Sequence, residues 1–201
     1  MDRQVSELVD GFDWASLPEG SKVVDCGGGK GHASLVLTQV CPNFLFQNLV
    51  LADLHQQKFP NLYCIVQDIS VDMMGSEANN KVHEAERVKF MKHDFFSPQP
   101  IHDAAVYFTR QVLHNWDDAS VVNILKGYVP ALESCRPGTP LLINDTLLPS
   151  PGTVSRYNER MVRQLDVAML LQLGAKQRNV EDIRHLLNQA DERYEVRCPS
   201  R

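Results

Sequence analysis

The chain has no Cys-x-x-C pair, no block of consecutive Lys and Arg, no internal repeat and no low-complexity tract. Nowhere does it approach the run of about 18 apolar residues that spans a bilayer. Its five cysteines (Cys26, Cys41, Cys64, Cys135, Cys198) are odd in number and far apart. A zinc knuckle or a disulfide framework is therefore a poor reading, and a reducing cytoplasm is the expected compartment. The opening residues, Met1 to Glu7, are acidic and lack the apolar core of a signal peptide. A net charge of −5 without a basic patch argues against nucleic acid or an anionic membrane as partner. What remains is an ordinary globular composition, 43% apolar over 201 residues. That is enough for one domain, expected over residues 1–201, burying roughly 70% of its unfolded surface.

The most informative stretch is Val23-Val24-Asp25-Cys26-Gly27-Gly28-Gly29-Lys30-Gly31-His32. An apolar run ends in an acid, glycines crowd the turn, and Ala33-Ser34-Leu35-Val36-Leu37 continues as a buried helix. Strand, tight turn and helix in this order form the first unit of a nucleotide-binding α/β sheet. A dinucleotide fingerprint requires G-x-G-x-x-G, and His32 stands where the third glycine would be. The Gly-Lys-Ser/Thr of a P-loop is absent too. Acid-led glycines at alternate positions, Gly27, Gly29 and Gly31, suit a nucleoside ligand with a positive tail, such as S-adenosylmethionine.

Short β-rich runs alternate with helical ones along the rest of the chain. Strands are expected at 23–26, 62–66, 88–91, 104–108 and 140–145, each ending in polar residues. Helices are expected over about 117–133, 156–173 and 180–190, the first with Val121, Val122, Leu125, Val129 and Leu132 on one face. Asp117 and Asp118 at its start read as N-cap and dipole complement rather than as metal ligands. Such alternation implies a mostly parallel sheet with right-handed crossovers and helices on both faces. Ligands of these sheets bind at the carboxyl ends of the strands, where Asp25, Asp68, Asp94, Arg110 and Asp145 fall.

Asp68 is a candidate for holding ribose hydroxyls, and Asp53 is a rival at a more usual distance from the glycines. Asp94 can accept from an adenine amino group while Phe95 packs on the ring. Each is also a plausible turn former. Arg110 either contacts the ligand or is solvated. The sharpest catalytic candidate is His114, in Gln111-Val112-Leu113-His114-Asn115-Trp116-Asp117-Asp118, on the loop after the fourth strand. A histidine ordinarily titrates near pH 6.5, which makes it a usable base at neutral pH.

Taken together, Val23 to His32, Phe59-Pro60-Asn61-Leu62 through Val66-Gln67-Asp68, His93-Asp94-Phe95-Phe96, Tyr107 through Asp118, and Leu142-Ile143-Asn144-Asp145 through Leu148-Pro149 occur in family order. In these pieces the chain resembles the S-adenosylmethionine-dependent O-methyltransferases of the caffeate and fungal secondary-metabolite type. The resemblance implies a Rossmann-like methyltransferase fold, S-adenosylmethionine as cofactor and a hydroxylated aromatic small molecule as partner. It implies His114 as general base, with Asp145 placed to orient its imidazole. Asp68, rather than Asp53, would bind ribose, Asp94 and Phe95 would hold adenine, and Arg110 would lie near the cofactor. The helix over 156–173, with Met161 and Met169, would wall the acceptor pocket. No metal is implied.

Four departures from the family pattern stand out. The family has an N-terminal helical domain that makes its relatives homodimers, and the residues before the first strand are not expected to form one. Residues 40–56 read as an insertion, because joining Gln39 to Gln57 restores the usual connection; a retained short fungal intron would encode such a segment. Gln177 stands where the family usually has a glutamate beside the histidine. The family's last strand is not expected within residues 1–201, which would leave the sheet an open edge. These departures keep a second reading open, a methyltransferase-like remnant without catalysis. An NAD-dependent oxidoreductase is disfavoured by His32.

Overall fold

The computed structural model describes residues 8–38, 59, 62–70 and 87–197. Five strands form one sheet: β1 (Ser21–Cys26), β2 (Leu62–Asp68), β3 (Val88–Lys92), β4 (Val106–Arg110) and β5 (Leu141–Asn144). Every pairing is parallel, in the order β3-β2-β1-β4-β5. The order reverses at β1, so the crevice at the carboxyl ends of β1 and β4 is the natural ligand position. Among the described residues four helices follow strands: α1 (His32–Thr38), α2 (Asp118–Ser134), α3 (Arg156–Leu173) and α4 (Val180–Ala190).

Parallel strands covered on both faces bury most of the side chains they carry, and here β1 buries all but Lys22 and β4 all but Arg110. In β1, Val23 joins one apolar layer with Leu35, Leu37, Val66 and Phe108. Its neighbour Val24 joins the other, with Tyr107, Leu125, Ile183 and Leu186 from α2 and α4. The expected strands and helices are found, α3 and α4 at their expected limits and most others with shifted edges. Strand β4 runs two residues later than its apolar run suggests. The reason is its partners: Tyr107 to Arg110 pair with Leu141 to Asn144 of β5, which carries the ladder out to Arg110. In α2 the buried face is Val121, Val122, Ile124, Leu125, Tyr128 and Ala131, while Val129 and Leu132 are only half-buried. Asp117 caps that helix, accepting the Ser120 N–H at 2.7 Å.

Among the described residues the sheet ends at β5. Residues 194–197 form no strand, though the Tyr194 hydroxyl donates to the Leu125 carbonyl at 2.9 Å. Asp53 and the expected insertion at 40–56 lie outside the described residues. No helix among those described is long and apolar enough to cross a membrane.

Candidate active site

The glycine turn is tied across the sheet by its own backbone. The N–H groups of Gly27 and Gly28 both donate to the Gln67 carbonyl, at 2.8 and 3.1 Å. At Gly28 a Cβ would lie 2.5–2.7 Å from the Asp25 carboxyl atoms, so no larger residue fits. Asp25 is 1% exposed and accepts the Ser34 hydroxyl at 2.7 Å. Burial pushes its carboxyl up to about 7, against the pull of the Ser34 hydrogen bond and the Arg110 charge. Asp25 therefore braces the turn from below rather than presenting a charge at its mouth. Gly27 has φ +74°, and a Cβ there would meet Val112 at 2.8 Å and Phe95 at 3.4 Å. The glycine turn, the Asp94–Phe95 loop and the loop leading to His114 thus meet at one point.

The other strand tips surround this point. Asp68 accepts the N–H of Gly29 at 3.1 Å and of Ser70 at 3.2 Å. Asp94 accepts the Phe96 N–H at 3.0 Å. Phe95, Phe96 and Trp116 form a cluster of tilted and edge-on rings, with centroids 4.8–5.9 Å apart. Beneath them the buried amides of Gln67 and Gln99 bond each other reciprocally at 2.9 and 2.8 Å. That pair locks the end of β2 to the loop after β3, and nothing in the sequence pattern marked Gln99.

The second half of the site is built differently. After β4 the chain turns at Gln111, a non-glycine residue at φ +54°, into the 3-10 turn Leu113–Asn115 that carries His114. His114 is 9% exposed. Asp145, just past β5, accepts backbone N–H groups from Val112 at 3.2 Å and His114 at 3.0 Å. It holds the histidine's main chain, not its ring as expected. Burial raises the Asp145 carboxyl above its ordinary value, opposed by His114 and these N–H groups. The ring's Nδ1 is met instead by Gln177 Nε2 at 3.0 Å. Arg178, 3% exposed, donates to the carbonyls of Leu113 at 2.9 Å and Trp116 at 2.7 Å and pairs with Asp118 at 2.8 Å. Sequence reasoning missed this clamp.

His114, Asp145, Gln177 and Arg178 line a tight cleft with about 10 Å³ of free space, room for one water at most. Helix α3 touches the His114 turn. Its Met161 is half-exposed to solvent and Met169 half-buried, and no residue of α3 is fully buried. The broad hollow of about 560 Å³ lies along α3, between Arg156 and Val167, away from the strand tips. Among the described residues no cluster of His, Cys, Asp or Glu could hold a metal.

The model of the O-methyltransferase domain matches residues 50–192, and the chain belongs to that family. It is 46% identical over 98% of its length to O-methyltransferase sol2 of Alternaria solani, and 39% identical over 96% to O-methyltransferase aurJ of Gibberella zeae. In each case the chain spans 42% of the relative's length. Among solved structures, the mitomycin 7-O-methyltransferase MmcR matches 93% of the chain and 46% of its own, at 22% identity and TM-score 0.69. LepI in complex with S-adenosylmethionine matches 90% of the chain and 42% of its own, at 25% identity and TM-score 0.62. A protein described as a pericyclic reaction enzyme matches 94% and 41%, at 26% identity and TM-score 0.61.

Proposed function

We propose that the chain binds S-adenosylmethionine and moves its methyl group to a hydroxyl of a phenolic or polyketide-type small molecule. The observation that carries this reading is the seat of the His114 loop: Val112 packs against Gly27, so the histidine and the glycine turn share one rim. The residues fit the cofactor, because half-buried carboxylates stand on the strand tips beside the glycine turn. Asp68 would take ribose hydroxyls, Asp94 and Phe95 the adenine, and Gly27, Gly29 and Gly31 would let the ligand approach the backbone. Asp25 and Arg110 act on the turn from beneath and beside it. When bound, S-adenosylmethionine supplies an electrophilic methyl group on a positively charged sulfur.

His114 serves as the base for the acceptor hydroxyl. With the Gln177 carbonyl turned to Nδ1–H, the Nε2 lone pair is free to take the proton; with the amide N–H facing Nδ1, Nε2 carries one. A phenol titrates near 10, so a positioned base gains about 10²–10⁴-fold at neutral pH. Asp145 and Arg178 fix the loop that aims the ring, and Met161 and Met169 would wall the acceptor side. A reducing cytoplasm fits the free thiols of Cys26, Cys64 and Cys135.

The test has two arms. Calorimetry with S-adenosylhomocysteine should show binding in wild type and His114→Ala alike. Methylated product from a panel of phenolic polyketides and flavonoids should fall about 10²–10⁴-fold in His114→Ala. No heat of binding, or product formation indifferent to the substitution, would defeat the reading. The neutral Gln177 beside the histidine favours one competing reading, a domain that binds cofactor and transfers nothing; binding without any product would select it.

A further inference from the structure

Gln177 is 2% exposed, and its backbone N–H is held by Asp166 of α3 at 2.8 Å. Its amide is thereby fixed 3.0 Å from the Nδ1 of His114. Whichever end of the amide faces the ring, the partner is uncharged. A ring that takes a proton from a hydroxyl becomes a cation, and a carboxylate at the same distance would answer it with a full opposite charge. An amide offers only its carbonyl dipole. The acids around it are engaged elsewhere: Asp145 has its oxygens on the backbone N–H groups of Val112 and His114, with burial disfavouring its charged form, Asp166 takes the Gln177 N–H, and Asp118 pairs with Arg178. Arg178 lines the same cleft with a permanent positive charge, shared with the Leu113 and Trp116 carbonyls and Asp118. A second cation there is poorly supported.

We propose that Gln177 is a positioning residue that confines the site to acceptors with an already acidic hydroxyl, one conjugated through a ring or double bond to a carbonyl or quinone. This rests on the methyltransferase reading and names its substrate class. In the step concerned the O–H bond breaks, its electron pair stays on the acceptor oxygen, and the proton passes to Nε2 of His114. A carbonyl that delocalises the oxyanion does what a charged partner on Nδ1 would otherwise do, lowering the cost of that separation of charge.

The experiment uses the full chain, saturated with S-adenosylhomocysteine, and two acceptors of similar size: para-hydroxyacetophenone and para-ethylphenol. Absorbance reads how much of each bound phenol is ionised, with no turnover needed. In wild type, para-hydroxyacetophenone should show its phenolate band on binding and para-ethylphenol should not. With S-adenosylmethionine, kcat/KM should favour the conjugated phenol by about 100-fold or more. Gln177→Glu should narrow that ratio about tenfold by raising kcat on para-ethylphenol with KM nearly unchanged. Gln177→Leu should lose activity on both. Equal ionisation of the two phenols by wild type, or a ratio indifferent to Gln177→Glu, would overturn the proposal. Selective ionisation with no methylated product from any variant would uphold it and sink the transfer reading instead. Failure of either phenol to bind would overturn both, and the wild-type absorbance decides the matter even if Gln177→Glu does not fold.

Discussion

The two halves of the site are held by different means. On the glycine side, backbone N–H groups reach the neighbouring strand tip: Gly27 and Gly28 hang on the Gln67 carbonyl, Gly29 on the Asp68 carboxylate, and a buried Asp25 fills the space beneath. On the histidine side, single side chains reach across the fold: Asp145 from the end of β5, Gln177 and Arg178 from the segment between α3 and α4. The first design joins the tips of two adjacent strands and is sterically determined. The second gathers side chains from the end of β5 and from the segment between α3 and α4. Cofactor recognition should therefore tolerate changes in α3 and α4, whereas acceptor chemistry should not.

The largest effect expected from breaking this contrast lies in Asp25. Its folded value of about 7 stands above the ordinary 3.8, so between those limits the folded chain keeps a proton that the unfolded chain has released. Stability should thus fall as pH rises through that window and level off above it, by up to about 4 kcal/mol. Asp25→Asn should flatten the profile, as urea unfolding at pH 4 to 8 would reveal. On the other side, Arg178→Ala strips partners from the Leu113 and Trp116 carbonyls and should cost about 3 kcal/mol in the same assay. It should also abolish transfer while leaving S-adenosylhomocysteine binding within a few-fold in the protein that remains folded. Asp68→Ala is the mirror image: S-adenosylhomocysteine affinity should drop about tenfold or more by calorimetry, with the acceptor KM unmoved. The smallest effect belongs to Met161→Ala. With half its surface in solvent it should shift stability by less than about 0.5 kcal/mol, so any larger change in acceptor KM would mark Met161 as a pocket wall.

The same contrast explains what could be read from sequence. The glycine turn was legible because its constraints are local: an acid, glycines and a helix start within ten residues. Strand ends were legible because Asp68, Asp94 and Asp145 each close an apolar run. Helices α3 and α4 were placed at their observed limits, each bounded by a capping side chain, Ser155 for one and Asn179 with Asp182 for the other. The late start of β4 was hidden because ladder length depends on its partners' register. Arg178 was illegible for a similar reason. Its carbonyl partners lie more than 60 positions back, and a guanidinium that caps a distant loop leaves no periodic trace. The role of Asp145 was half-read: its place beside the histidine was expected, but a carboxylate cannot be assigned to ring or main chain without the turn at Gln111.

Helix α3 has consequences for the rate at which the acceptor side breathes. Eighteen residues long and without one fully buried side chain, it leaves Leu170 61% and Leu171 79% exposed. A helix with so little apolar contact opens at low free-energy cost. Because Asp166 of that helix holds the Gln177 N–H, deuterium should enter at Gln177 whenever α3 frays, long before it reaches the amides of β1. The imidazole's partner would then come and go on the helix's clock, while the glycine turn keeps the slower time of the sheet.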